Sequence, residues 1–327
     1  MLCLPSVLHR SAESGGYWWS YRQIQEALWR GASLQVSEPR FQSMETRQKT
    51  LKKAPMGAFF IACLFSMQAF ALCALEPDLA VETVQVKDVF DGDTVRLVDG
   101  RKVRLVGINT PEVAHGGKPA EPLGDDARVQ LQSMLKQQPI RLLVGKDSHD
   151  HYGRVLGHLF DGQGNSIIAG LLQQGAGFQV AIVPNLRYVD CYQAAQQQAR
   201  EARLGVWGEP YYDPIAATSD DLKGGYARIK GQVESVSLSK KAIFVELEGQ
   251  VSLKIERSAA PYIDEALLDR LVGLSRVTRP DAALWLEARG WLSDRLTWSG
   301  AAPEKVRKGQ QKRYQMKITH QVAWQIL

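Results

Sequence analysis

The order in which short alternating segments follow one another constrains this chain more than anything else in it. From residue 81, apolar and polar residues exchange at every second position over short runs punctuated by glycine turns. That period sets one face of each run against a core and predicts half-buried strands. Runs over 84–90 and 94–98 flank the tight turn Asp91-Gly92-Asp93, and Asp99-Gly100 makes a hairpin before a third run over 102–108. Pro111 ends that run and holds Thr110 extended. Helical spacing follows over 125–136, with Ala127, Leu131 and Leu135 on one stripe. Strands over 140–144 and 155–160 complete the set, and helices are expected over 167–174 and 188–203. The order β-β-β-α-β-β is that of a five-stranded barrel of the OB type.

The same order then repeats. Residues 211–225 carry Pro214, Gly224 and Gly225 among Ser, Thr and Asp and read as a linker. Beyond it Ala227, Ile229 and Val233 alternate with polar neighbours, 242–248 forms a second run, and Val251, Leu253 and Ile255 alternate with Ser252, Lys254 and Glu256. A helix over 261–273 places Ile263, Leu267 and Leu271 together. The last strands, 284–292 and 314–322, flank a basic segment with Lys305, Arg307, Lys308, Lys312 and Arg313. The expected fold class is mainly β with helices (α+β), built as two tandem five-stranded OB-type barrels, over 72–210 and 226–327. OB barrels often bind single strands through a basic groove and aromatic platforms. Trp285, Trp291, Trp298, Tyr314 and Trp324 suit such platforms, and equally suit a core beside a merely solvated basic loop.

At 327 residues, 45% apolar and 23% charged, the chain is no disordered tail, collagen-like fibre or polytopic membrane protein. A net charge of +5 is too mild to mark a nucleic-acid binder, but its distribution is uneven. Residues 1–71 hold 8 basic against 4 acidic residues, 72–219 hold 14 against 18, and 220–327 hold 18 against 13. An acidic middle that acts on phosphates needs a cation, and the basic end supplies long-range attraction.

Residues 44–71 have the anatomy of an export signal. Arg47, Lys49, Lys52 and Lys53 precede an uncharged apolar stretch over 55–71, and Ala69-Phe70-Ala71 offers small residues at a cleavage site. A secreted or periplasmic location follows, with membrane anchoring by 55–71 as the alternative if the stretch is not cleaved. Residues 1–43 before Met44 read as a genuine extension or an artefact of start assignment, and the cluster Tyr17-Trp18-Trp19-Ser20-Tyr21, which would suit a membrane interface, reads in preference as without function. Cleavage leaves Cys73 and Cys191, which either pair in an oxidising compartment or stay unrelated thiols, and Cys73 is also a weak candidate for lipidation.

The chemistry gathers at strand ends. Asp93 follows a glycine turn, Arg104 is a charged residue on the face of Val106 and Ile108, Asn109-Thr110-Pro111-Glu112 surround a proline, and Arg154 closes a hairpin. Singly these have bland readings as turn, solvent-facing strand residue and helix start. Together, in this order, they resemble the thermonuclease (staphylococcal nuclease-like) family over about residues 82–208. The matching strings are Asp91-Gly92-Asp93-Thr94-Val95, Arg104-Leu105-Val106-Gly107-Ile108-Asn109-Thr110-Pro111-Glu112 and Asp150-His151-Tyr152-Gly153-Arg154, followed by Leu171–Gly175, Pro184-Asn185 and Leu204-Gly205-Val206-Trp207.

The resemblance implies calcium-dependent hydrolysis of phosphodiesters in DNA and RNA with low sequence specificity, by a monomer that uses no small-molecule cofactor. It implies Asp93, Asn109 and the Thr110 carbonyl as Ca2+ ligands and Glu112 as general base. Arg104 and Arg154 would grip the phosphate, with Tyr152 and Asp150 beside the substrate. Two departures stand out. Asn109 occupies a position where the family usually has a second ligating aspartate, which weakens the charge of the site. The stretch Val180-Ala181-Ile182-Val183 lacks the tyrosines that contact the nucleotide, leaving that contact absent or supplied by another group such as Phe178. These departures motivate an alternative, a nuclease-fold module without turnover that binds nucleic acid or protein. Retention of Asp93, Arg104, Glu112 and Arg154 argues against it. His149 and His151 read as exposed loop residues in preference to a metal pair.

Overall fold

The computed structural model describes residues 73–136, 139–275 and 284–327. The extension over 1–43 and the export segment over 44–71 lie outside the described residues.

Strands β1 (Glu82–Val84), β2 (Val86–Val89), β3 (Thr94–Leu97) and β4 (Lys102–Leu105) come first, then the short β5 (Ile108–Asn109). Helix α1 (Gly124–Leu135) leads to β6 (Ile140–His149) and β7 (Val155–Phe160). The sheet runs β1-β6-β7-β4-β3-β2. Its two margins are consecutive in the chain, separated only by Gln85, so one stretch closes on β6 with its first half and on β3 with its second. The sheet therefore curls back on itself, with β4 and β7 parallel.

The expected third strand over 102–108 breaks after Leu105. A Cβ on Gly107, at φ 107°, would lie 2.5 Å from the Tyr192 ring. Only glycine fits that approach. The chain leaves the sheet there, and Ile108 and Asn109 pair instead with β8 (Phe178–Gln179). This detour lifts residues 109–112 onto the rim.

Ala127, Leu131 and Leu135 of α1 are buried in the core, as their stripe requires. Helix α2 (Ile167–Gln173) is capped by Ser166, whose hydroxyl accepts from Ala169 N. Helix α3 (Val189–Glu201) buries Tyr192, whose hydroxyl lies 2.9 Å from His158 Nδ1. Cys73 and Cys191 form a disulfide with Cα atoms 5.6 Å apart, pinning the segment before β1 to α3.

Residues 205–216 carry short 3-10 turns at Gly205–Trp207 and Pro210–Tyr212 and then β9 (Ile215–Ala216). The second sheet is built on β10 (Gly225–Leu238), which pairs with β13 (Trp285–Asp294) through its first part and, beyond a bulge between Val233 and Ser235, with β11 (Ala242–Leu247). With β12 (Val251–Glu256) and β14 (Tyr314–Ile318) these strands close a ring of five, β12 and β14 running parallel. Strand β9 lies along β10, and β15 (Trp324–Ile326) along β13. The expected helix over 261–273 starts later, because Pro261 sits in a 3-10 turn, Arg257–Tyr262. Helix α4 (Glu265–Leu274) begins after Asp264, whose carboxylate accepts from Leu267 N at 2.8 Å. Helix α5 (Ala302–Arg307) lies between β13 and β14.

The two barrels meet on a shared aromatic cluster. Phe178, Val206 and Trp207 pack with Tyr212 and Tyr226. The guanidinium groups of Arg200, Arg228 and Arg289 lie 5.4, 4.9 and 5.8 Å from the Trp207 ring centre. Glu287 takes Arg228 at 2.8 Å and Arg200 at 3.6 Å.

Candidate active site

The Asp91-Gly92-Asp93 turn is locked by its own first residue, whose Oδ1 accepts from Asp93 N at 2.9 Å. A Cβ on Gly92 would lie 2.7 Å from both Ala127 and Thr110, so the turn is pressed against α1 and the rim loop. The buried Asp93 carboxylate then serves as a hub. Its Oδ2 accepts from Thr110 N at 3.1 Å and pairs with Arg104 Nη2 at 3.0 Å, while Oδ1 accepts from Thr94 Oγ1 at 3.0 Å. Arg104 is buried too, and its Nη1 donates to the carbonyls of Leu105 and Ile108. The pair fastens the exit of β4 to the turn before β3. It also leaves Arg104 deeply engaged with protein groups. Thr110 is buried, and Asn109 is half-buried in its pairing with Phe178.

Glu112 projects from the loop before α1. Its backbone is clamped at both ends by Glu121: Glu112 N donates to Glu121 Oε2 at 3.0 Å, and Glu121 N donates to the Glu112 carbonyl at 2.9 Å. Gly124 packs so closely that a Cβ there would lie 2.3 Å from the Glu112 carbonyl oxygen. Partial desolvation, then the Asp93 and Glu121 charges, raise the Glu112 carboxyl above its ordinary range, while Arg104 and Arg154 pull it down. The same balance shows that Asp93, Arg104, Glu112 and Arg154 share one field.

Across the rim, Asp150 Oδ1 accepts from the backbone N–H of both Tyr152 and Arg154 at 2.9 Å, and its Oδ2 holds Arg154 Nε at 2.7 Å. Asp150, read from the sequence as a substrate neighbour, is thus placed as the group that shapes the turn and aims Arg154. The Arg154 guanidinium lies 5.5 Å from the centre of the Tyr152 ring, which is 74% exposed. Both His149 and His151 are exposed; His149 Nδ1 meets Ser148 Oγ, and His151 packs on Tyr152.

Asp91 belongs to this site and the sequence reading left it as a turn residue. Burial, followed by the charges of Asp93 and Glu112, pushes its carboxyl up to about 7. The signal was the second carboxylate of Asp-Gly-Asp, which is hidden because that string is an ordinary turn. Phe178 is a correction of the opposite kind. It is buried against Trp207, Tyr212 and Tyr226 and has no face to offer a nucleotide. Tyr314 and Trp324 are likewise core residues of the second barrel.

Among the described residues no group of three or more His, Cys, Asp or Glu side chains is gathered closely enough to enclose a metal by itself. The donor chemistry nevertheless fits a hard cation. Burial and then the charges of Asp93 and Glu112 raise the proton affinity of Asp91, and burial and then Asp93 raise that of Glu112, which is the electrostatic strain that a cation with oxygen ligands relieves.

The sequence that builds this site has known relatives. The family model described as staphylococcal nuclease homologue matches residues 102–209, ending before β10. The chain is 32% identical over 133 residues to a thermonuclease of Staphylococcus intermedius, spanning 40% of this chain and 79% of that protein. It is 30% identical over 129 residues to the thermonuclease of Staphylococcus hyicus, covering 38% and 76%. Endonuclease YncB of Bacillus subtilis (strain 168) is 30% identical over 135 residues, covering 39% and 63%. The first barrel is therefore of the OB type, and the protein is a hydrolase of the nuclease class. The chain belongs to the staphylococcal nuclease family.

Proposed function

We propose that the protein is an exported, calcium-dependent nuclease that cleaves phosphodiester bonds in DNA and RNA with little regard to sequence. The observation that carries this reading is the common field of Asp93, Arg104, Glu112 and Arg154 at one rim. Asp93 and Asn109, with the Thr110 carbonyl and the Asp91 carboxylate, would hold the calcium ion. When bound, that ion supplies positive charge opposite the phosphate oxygens and orients water.

The remaining work falls to side chains. Glu112, with its raised proton affinity and clamped backbone, takes a proton from the water that attacks phosphorus. Arg154, aimed by Asp150, binds a non-bridging phosphate oxygen with its planar guanidinium fork. Arg104 fixes Asp93 and adds positive potential from beneath. Tyr152 offers an exposed ring beside the phosphate clamp. Attack breaks one P–O ester bond and leaves a phosphate monoester and a free hydroxyl.

The disulfide supports export, because such bonds persist in oxidising compartments. A cleaved signal over 44–71 would release a monomer with its nuclease domain over 72–210, a connecting segment over 211–225 and a second domain over 226–327. The strand order of the second ring supports reading it as another OB-type barrel that binds nucleic acid. The test is cleavage of single-stranded DNA by purified residues 72–327, with calcium and with chelator. Chelator-sensitive cleavage is expected; cleavage indifferent to chelator overturns the role of calcium, and no cleavage in either condition overturns the assignment.

A further inference from the structure

The basic segment before β14 looks in sequence like the natural handle for nucleic acid, and the structure largely neutralises it. Lys308 pairs with Glu304, Lys312 with Glu234 and Arg313 with Asp294. The unsatisfied charge lies elsewhere. Arg289, on β13, has a solvent-shielded Nε with no hydrogen-bond partner, and no ion pair of Arg289 occurs among the described residues. It lies in the wall of a cleft of about 470 Å³ between the barrels. One side of that cleft is residues 179–183, the chain leaving β8, whose first residue pairs with Asn109 of the rim. The other side carries Trp291, Trp298 and Lys317. Trp291 is 53% exposed and Trp298 40% exposed, large apolar rings that the fold covers only in part, with Tyr226 and Arg295. Lys317 is exposed, held only by a loose 3.8 Å approach to a Glu256 oxygen that Lys254 already occupies at 2.9 Å.

We propose that this cleft is a binding subsite for single-stranded nucleic acid, in which Trp291 and Trp298 stack bases while Arg289 and Lys317 take backbone phosphates. The proposal rests on the nuclease reading above and extends it. A guanidinium with no ion pair among the described residues, its Nε shielded and the Trp207 ring 5.8 Å away, calls for an anion, and flanking exposed indoles call for flat apolar faces. A single strand presents both at regular intervals. A folded protein partner would need a broad apolar patch with matching carboxylates, whereas these aromatics stand as separate platforms along a groove. The subsite also accounts for the missing tyrosines. In this chain Val180-Ala181-Ile182-Val183 forms one bland wall, and the second barrel faces it with aromatic rings. The second barrel would supply the base stacking that this wall does not.

The test is equilibrium binding, in chelator, of fluorescent oligothymidylates of about four and about twenty nucleotides to the mature chain, so that no cleavage is required. The longer strand is expected to bind more tightly. Trp291→Ala and Trp298→Ala should each weaken it roughly tenfold, from the usual worth of one base–aromatic stack. The double variant should erase most of its advantage over the short strand. Arg289→Gln should lower the slope of log affinity against log salt by about 0.7, one phosphate's worth, while Arg289→Lys keeps the slope. Trp285→Ala is the control: an equally exposed indole at the other end of β13, roughly 20 Å away, expected to change nothing. Retention of the length advantage in the double variant, or an equal loss in Trp285→Ala, overturns the proposal. Binding as expected, in a chain that cleaves nothing once calcium is restored, would instead strike the nuclease reading alone.

Discussion

In the first barrel Arg104 meets Asp93 at 3.0 Å, and in the second Arg228 meets Glu287 at 2.8 Å, with all four side chains shielded from solvent. The surroundings differ. Around Asp93 stand further carboxylates, Asp91 and Glu112, so negative charge is in excess at the rim. Around Glu287 stand Arg200 and the indole of Trp207, so the pair is closed off and serves as a joint between the barrels. The third strand of the first ring buries Arg104, whereas β12 in the corresponding place buries Val251, Leu253 and Ile255. A similar strand order thus carries a carboxylate-rich rim in one case and a joint between the barrels in the other. What distinguishes them is which strand residues are charged, not how the strands are connected.

Substitutions at the rim and at the joint should separate along those lines. The largest effect is expected at the rim: Glu112→Gln and Arg154→Ala should each cut turnover on single-stranded DNA by about 10²-fold or more, without a comparable fall in melting temperature. Near-normal rates in both would break the assignment of the rim. At the joint the pattern should invert. Glu287→Gln leaves Arg228 and Arg200 without their carboxylate and should destabilise the chain by about 3–5 kcal/mol in urea melts, with turnover of the folded protein little changed.

His158 probes the first barrel alone. Burial, and secondarily the charge of Arg187, push its pKa down to about 4. Between that value and the ordinary one near 6.5, the unfolded chain binds a proton that the native chain refuses. Stability therefore rises with pH across this window and is lost on acidification, by on the order of 3 kcal/mol. In His158→Gln that part of the acid slope should vanish from melts at pH 4 to 7, and an unchanged slope would show that other groups carry it. Last, Cys73→Ser should lower stability by about 2–4 kcal/mol, read as the shift in urea midpoint, because the bridge closes a loop with a sequence separation of 118. A shift confined to the second barrel would be unexpected, since both cysteines lie against the first core.

Much of this architecture was legible in the chain. Alternation located most strands, since a residue's side of a sheet follows from its parity. The stripe Ala127, Leu131, Leu135 located α1. Local reading failed where a distant residue decided the outcome. The third strand was expected to run through Ile108, but Tyr192 crowds Gly107 and turns the chain out of the sheet. Phe178 looked available for stacking because nothing nearby in sequence covers it; Trp207, Tyr212 and Tyr226 do. Asp91 looked like turn chemistry because its raised pKa comes first from burial, which the whole fold sets, and only then from the charges of Asp93 and, last, Glu112.

The sequence by itself determined which residues carry chemistry. Charge, oxygen donors and guanidinium forks are properties of side chains, and their order along the strands is fixed by covalent linkage. Tertiary structure alone decided what each charge does. Whether a carboxylate holds a turn, shares a cation or anchors a joint depends on the few ångströms of solvent or protein around it, because both Coulomb attraction and desolvation change steeply over that distance. Arg289 shows this most plainly: in the sequence it is one basic residue among many, and in the fold its Nε is shut away from water without a partner.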